Sequence, residues 1–234
     1  MTLESTAMSL NNKERLPREL IAMRVAADLQ AGDFVNLGIG IPNLVADFCP
    51  DEKGITFHAE NGILGLSKAQ AEGTPDIPDM RNAGGQPVTM IKGGWLMDSA
   101  DSFAIVRGGH LDVAVLGGLQ VSAKGDLANW MRPGRAVGSV GGAADIAAGA
   151  RRLFIAMEHT TKEGEIKIVN QCTYPLTAVG CVDKIFTDVA VISVTPEGLV
   201  LEEMAPGWTA EEVQSITEPK LTVSPSLREI DLVG

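Results

Sequence analysis

Histidine, cysteine and tyrosine are scarce in this chain of 234 residues, with three His, three Cys and one Tyr. Cys49, Cys172 and Cys181 are odd in number and form no CxxC pair, so neither a disulfide framework nor a cysteine metal site is expected. They read as reduced thiols of a cytosolic protein. His58, His110 and His159 have no partner at metal-ligand spacing, and HExxH, Walker A and GxSxG patterns are absent. The dinucleotide fingerprint is incomplete too: Gly38-x-Gly40 lacks its third glycine, and Pro42 stands where the helix would open. No apolar run approaches the ~20 residues of a membrane span. The opening MTLESTAMSLNNKER has neither the apolar centre of a secretory signal nor the Arg-rich pattern of a transit peptide. Positive charge is short as well: 19 Lys+Arg against 30 Asp+Glu leave a net charge of −11. That argues against a nucleic-acid partner, which wants a basic surface. A small anion could still be held by backbone N–H groups or a local basic cluster, for which Arg132 and Arg135 are candidates. Read blind, two such arginines are more often solvated loop charges.

What is abundant is glycine, 26 residues in tight clusters, beside an ordinary 45% hydrophobic and 21% charged composition. The length favours one α/β domain, with two small ones as the alternative. Residues 1–15 are expected to form a loose arm, 16–220 the domain, and 221–234 a tail that frays. LPRELIAMRVAADLQAGD predicts a helix with Leu16, Leu20, Met23 and Ala27 at helical spacing, stopped at Ala31-Gly32-Asp33. FVNLGIGIPN predicts a strand entering a glycine loop, and LVADFC a helix. ITFHAE predicts a strand in which Ile55 and Phe57 alternate with Thr56 and His58. Residues 68–101 read as loops with short strands, VTMIKGG among them. HLDVAVLGG and ARRLFIAM supply further strands, and GSVGGAADIAAGA a glycine loop opening a small-residue helix. Two strands meet at Thr195-Pro196-Glu197-Gly198, and Thr209 with Glu212 forms a capping box for a late helix. Strands alternating with helices predict an α/β sandwich around a mostly parallel sheet, with ligands beyond the carboxyl ends of the strands.

Glu60 lies at such an end, in FHAENGILG. A carboxylate is ionised at neutral pH and can attack a thioester carbonyl without a base. Glycine loops can bring N–H donors to the developing oxyanion. The competing reading is a cap whose side chain accepts N–H bonds from a following helix, with Asn61 and Gly62 as turn formers. On spacing alone the cap carries the greater weight.

Seven blocks in order extend this reading: VNLGIGIPNLVADF, HAENGILGL, NAGGQPVTM, DSFAIVRGGHLDVAVLGGLQV, GDLANW, VGSVGGAADIAAGARR and CTYPLTA. Together, from about Glu19 to about Ala205, they resemble the B (beta) subunit of family I 3-oxoacid CoA-transferases, of acetoacetate or 3-oxoadipate type. The resemblance implies a three-layer α/β/α sandwich and assembly with a separate A (alpha) subunit into a heterotetramer. It implies a cytoplasmic enzyme with no permanently bound cofactor or metal and with coenzyme A as co-substrate. It also implies that Glu60 is the nucleophile of a ping-pong reaction through a glutamyl-CoA thioester. Gly141 and Gly142 would then lie near the oxyanion. Asn36, Gly38, Gly40, Pro42, Asn61 and Gly62 would form the CoA-binding set. Two positions depart from the family pattern: Ala59 stands where the motif usually has serine, and Gly85 where some relatives carry a lysine that contacts CoA. The expected acceptor is acetoacetate, with 3-oxoadipate as the near rival. A sugar-phosphate isomerase and a non-catalytic effector-binding domain are the more distant alternatives.

Overall fold

A computed structural model describes residues 13–69, 80–134 and 141–231. Short runs of Val, Ile, Leu and Ala form the middle of a ten-stranded sheet. Its central strands are β1 (Phe34–Leu37), β2 (Thr56–Ala59), β5 (Val113–Leu116), β8 (Leu153–Ala156) and β10 (Lys184–Phe186). They lie in the order β10-β8-β5-β1-β2, every neighbouring pair parallel. Antiparallel strands extend both flanks. Beyond β2 come β3 (Ile63–Ala69) and β4 (Val88–Leu96). Beyond β10 come β11 (Ala190–Thr195) and β12 (Gly198–Met204), after which β13 (Leu221–Glu229) runs parallel to β12. A separate small sheet holds β6 (Gln120–Ser122) between β7 (Leu127–Ala128) and β9 (Ile168–Val169).

Parallel strands joined by crossovers are covered on both faces, so their residues are apolar on both sides. Successive side chains then feed two cores. Ala114, Leu116, Leu153 and Ile155 enter one core, beneath α2 (Ser99–Arg107), α3 (Ala143–Gly149) and α4 (Ala210–Ser215). Val113, Val115, Phe154 and Ala156 enter the other, beneath α1 (Arg18–Asp28) and a 3₁₀ segment, Ile41–Phe48. The expected mostly parallel α/β sheet is present. Among the described residues no helix is long and apolar enough to cross a membrane.

Several local expectations are corrected. α1 starts after Pro17 and ends at Asp28, and it buries Ile21, Ala22, Val25 and Ala26, whereas Ala27 is exposed. Proline at the N-cap starts the helix after Leu16, so Leu16 packs against the cores from outside the helix. His58 does not alternate outward, because β2 lies between β1 and β3 with both faces covered, and the residue is fully buried. No helix follows Glu60; Asn61-Gly62 turns the chain into β3, so Glu60 is not a helix cap. α2 lies in a stretch read only as loops and strands at its start, and its signal was Asp98, whose side chain accepts from Asp101 N.

Of the ends read as a loose arm and a fraying tail, residues 1–12 and 232–234 lie outside the described residues, whereas the described parts are held in place. Lys13 pairs with Glu212, Arg15 with Asp188, and the Glu14 carbonyl accepts from Trp208 Nε1. At the other end β13 completes a sheet edge instead of fraying. Its Arg228 shares the buried Glu203 of β12 with Arg24 of α1, at 2.6 Å and 2.5 Å respectively. The Thr209–Glu212 capping box is present at α4.

His159 is fully buried, with a threonine hydroxyl at each ring nitrogen: Thr187 Oγ1 at 2.9 Å and Thr217 Oγ1 at 2.8 Å. Burial, reinforced by Arg15 and Lys167, pushes its pKa down to about 3. The unfolded chain takes up that proton below pH ~6.5 while the folded protein does not, so stability falls as pH drops from there. Urea unfolding at pH 7 and pH 5 tests this. The wild type should lose about 2 kcal/mol more than His159→Gln between those pH values, and equal losses would refute it.

Candidate active site

The carboxyl ends of β1, β2 and β5 open on one edge of the sheet, where the chain must leave each strand and ligands can approach. A cleft of about 360 Å³ lies there. The loop leaving β1 contributes Gly38 and Ile39, the turn after β2 contributes Glu60, the end of β5 and its loop contribute Leu116 to Leu119, and the entry to α3 contributes Gly141, Gly142 and Ala143. The glycines allow close packing of backbone on backbone. A Cβ on Gly38 would stand 2.9 Å from Leu116 Cδ2 and 3.2 Å from the Val115 carbonyl oxygen. One on Gly142 would stand 2.5 Å from Phe103 Cζ and 3.6 Å from Glu60 Cγ.

Glu60 Oε2 is buried and has no hydrogen-bond donor. Burial pushes the carboxyl pKa up, opposed in part by its own backbone N–H and by the Asn36 amide. Asn36 lies on β1, fully buried. Its Nδ2 is 3.0 Å from His58 Nδ1 and donates to the His58 carbonyl oxygen at 3.3 Å. A carbonyl only accepts, so the amide nitrogen must face it, and Asn36 Oδ1 is turned away, buried and without a donor. His58 Nε2 in turn meets Ser102 Oγ of α2 at 2.9 Å. Burial lowers the His58 pKa to about 4, so the ring is neutral at pH 7. With Nδ1 accepting from Asn36, the ring proton resides on Nε2 and points to Ser102. His58 is thereby occupied on both nitrogens; it fixes Asn36 and has no free nitrogen for a substrate. The arrangement offers one chemical actor, a desolvated carboxylate that keeps an open oxygen.

The structure brings Glu60, Gly38, Gly141 and Gly142 to one cleft, with Asn36 adjacent to the carboxylate. Gly40 and Pro42 do not line it: Gly40 is exposed at φ +90°, and Pro42 is buried at the start of the 3₁₀ segment. Asn61 is exposed and donates to the Arg81 carbonyl at 2.8 Å. Gly62 belongs to the turn, at φ +108° against Met97. Ala59 is packed in the apolar core, where a serine hydroxyl would need a partner. Gly85, at φ +77°, lies in a turn whose carbonyl accepts from Arg81. Arg132 pairs with Glu165 at 2.9 Å and lines a different cavity, and Arg135 lies outside the described residues. Sequence reading assigned no role to Asn129, which reaches the cleft while donating to the Gly117 carbonyl at 3.1 Å. It also overlooked the His58–Ser102 support. GDLANW and the Gly117-Gly118 pair closing β5 were the available signals.

Two glycine substitutions separate turn from cleft. Gly62→Ala forces a left-handed backbone and a Cβ 2.2 Å from the Met97 carbonyl oxygen, and should destabilise by about 1–3 kcal/mol or more. Gly142→Ala meets only the far end of the half-buried Phe103 ring, and should cost under about 1 kcal/mol. Urea midpoints in the reverse order would contradict this assignment.

Comparison with known proteins identifies the family. The sequence signature described as coenzyme A transferase matches residues 18–215. The B subunit of the 3-oxoadipate CoA-transferase of Pseudomonas putida is 51% identical over 87% of this chain and 95% of its own length. The beta subunit of the acetate CoA-transferase of Escherichia coli is 45% identical over 90% and 95%. In fold, the chain superposes on an acyl-CoA transferase of Escherichia coli O157:H7 with TM-score 0.73 at 21% identity, covering 92% of this chain and 44% of that longer one. It also superposes on the glutaconate coenzyme A-transferase of Acidaminococcus fermentans with TM-score 0.69 at 18% identity, over 93% and 89%. A carboxylate cleft at the strand ends, a signature match along most of the chain and beta-subunit relatives at this identity lead to one conclusion: the chain belongs to the coenzyme A transferase family, as a beta-subunit enzyme chain of the 3-oxoacid CoA-transferase type.

Proposed function

We propose that Glu60 carries the transfer as a covalent nucleophile. The observation behind this reading is its buried Oε2, which no donor occupies. A carboxylate stripped of water is a stronger nucleophile than a solvated one, and it needs no base to activate it. One Glu60 oxygen attacks the acyl-CoA carbonyl, giving a mixed anhydride and CoA thiolate. The thiolate attacks the glutamyl carbonyl and releases the first acid, leaving a glutamyl-CoA thioester. A second carboxylate attacks that thioester, and the returning thiolate collects its acyl group, which restores Glu60. One thioester replaces another, so the cycle needs no net proton transfer and no energy input. Gly141 and Gly142 are the proposed oxyanion donors, since both line the cleft with Glu60 and Gly142 lies beside its stem. Gly38 and Asn129 line the channel for the reacting end of CoA.

The proposed acceptor is a 3-oxoacid. Relatives 51% identical are named for 3-oxoadipate, and others at 45% for acetate, so 3-oxoadipate takes precedence over the acetoacetate favoured from motifs alone. The working enzyme is proposed to be a cytoplasmic heterotetramer with an alpha subunit, which would complete the acid pocket.

Intact mass after incubation with an acyl-CoA tests the cycle. A CoA adduct should form that hydroxylamine removes, and it should be absent in Glu60→Ala and Glu60→Gln. Exchange should fall at least about 10³-fold in either variant. Near-normal exchange in Glu60→Ala, or an adduct that persists, would refute the role. A sugar-phosphate isomerase would show turnover indifferent to hydroxylamine.

A further inference from the structure

A second cavity, of about 610 Å³, lies on the other side of Leu119, which lines both it and the Glu60 cleft. Its unusual member is Lys167. The backbone carbonyl of this residue accepts from Val121 N, anchoring it at the small sheet, and the residue is only 8% exposed. Its stem is buried while its Nζ keeps some exposure along the cavity it lines, and a cation so largely stripped of water is costly unless a carboxylate compensates it. Among the described residues, none forms an ion pair or side-chain hydrogen bond with Lys167. The two carboxylates whose fields reach it, Glu158 and Asp188, are already taken. Glu158 Oε1 accepts from Arg18 Nε at 2.9 Å and Nη2 at 2.6 Å. Asp188 accepts from Arg15 Nη1 at 3.1 Å and from the His159 backbone N–H at 2.7 Å. Burial accordingly lowers the Lys167 pKa, only partly offset by those carboxylates, and Arg18 lowers it further.

The cavity wall repeats the imbalance. Arg18, Arg132, Lys162 and Lys167 face Glu158 and Glu165, a surplus of two positive charges in a chain whose net charge is −11. The carboxylates are spent on Arg18 and Arg132, which leaves the two lysines without an ion-pair partner among the described residues. The chain's single tyrosine, Tyr174, and the hydroxyl-bearing Thr160 and Thr161 add neutral polar groups to the wall. The wall is fixed rather than loose: Gln120 Oε1 accepts from the backbone N–H of Thr173 at 2.8 Å and of Tyr174 at 3.1 Å. A volume of this size lies within the range of small-ligand sites.

We propose that this cavity is a binding site for a small oxyanion carrying two negative charges, a dicarboxylate or a phosphate, with Lys167 as its fixed counter-charge. The site is distinct from the Glu60 cleft and independent of the role assigned to Glu60. A bound dianion would balance the surplus charge and supply the acceptor that Lys167 lacks.

Isothermal titration of the full chain, together with its alpha partner where the two co-purify, tests this with inorganic phosphate and with succinate at constant ionic strength set by sodium chloride. At least one should bind saturably at one site per chain. Binding should weaken at least about 10-fold in Lys167→Met. Because the Glu60 cleft is itself proposed to take a dicarboxylate, only the component of binding lost in Lys167→Met counts as this site, and that component should be unchanged in Glu60→Gln. Preference for phosphate would identify a phosphate-bearing ligand, and preference for succinate a dicarboxylate. Lys167→Met should fold, since it removes an unpaired charge on a largely buried side chain, and its thermal midpoint in chloride buffer should be no lower than wild type. Arg132→Gln, at the more exposed wall, provides a second variant that should also weaken binding. Absence of saturable binding up to about 10 mM of either probe, a Kd beyond the useful range, would overturn the proposal. Binding that survives unchanged in both variants would overturn it equally.

Discussion

A single carboxylate oxygen, Glu60 Oε2, is held out of water at the sheet edge with no donor to satisfy it. That arrangement costs free energy, and the surrounding structure keeps it in place. β2 ends one residue earlier, and the Asn61-Gly62 turn sends the chain into β3. On one side Gly142 lies close to the Glu60 stem, its missing side chain leaving room for the Phe103 ring. On another, Asn36 is locked by His58, and His58 by Ser102, so the amide nearest the carboxylate cannot rotate freely. Desolvation, not a neighbouring charge, dominates the shift of the Glu60 carboxyl, and it points toward greater basicity.

The same logic explains the shape of the fold. Fully covered parallel strands give a rigid centre, and their carboxyl ends are the one line along which several loops converge. The two cores on either face hold β1, β2 and β5 in register, which sets the spacing of Gly38, Glu60 and Leu116 around the cleft. At the far flank, Glu203 joins α1, β12 and β13 through Arg24 and Arg228, securing the chain's last strand without touching the chemistry.

Much of this was legible in the sequence, for definable reasons. The central strands are short apolar runs, and runs such as VAVL and LFIA have no other economical home than a covered sheet. The turn between β11 and β12 and the cap of α4 were written in Pro, Gly, Thr and Glu at fixed offsets. Glu60 stood out only through its motif, since spacing alone favoured a cap. The errors have a common source: they concern contacts between distant segments. The buried face of α1 depends on which turn meets the sheet, not on the spacing of Leu16 and Leu20. The ordering of residues 13–15 depends on Trp208, Asp188 and Glu212, between 173 and 199 positions away. His58 looked like an outward-facing strand residue until β3 and α2 covered it. Lys167 carried no local signal at all, because its lack of a partner is a property of the assembled cavity.

The most direct measurement of the central claim follows atoms, not rates. In the proposed cycle one oxygen of the incoming acid stays behind in the Glu60 carboxyl each time the enzyme returns to its starting state. Turnover with an acid labelled in both carboxyl oxygens with ¹⁸O, followed by digestion and peptide mass analysis, should place heavy oxygen, about 2 Da per exchanged atom, on Glu60 and on no other residue. Completed turnover with Glu60 unlabelled, or label on a different side chain, would contradict the account.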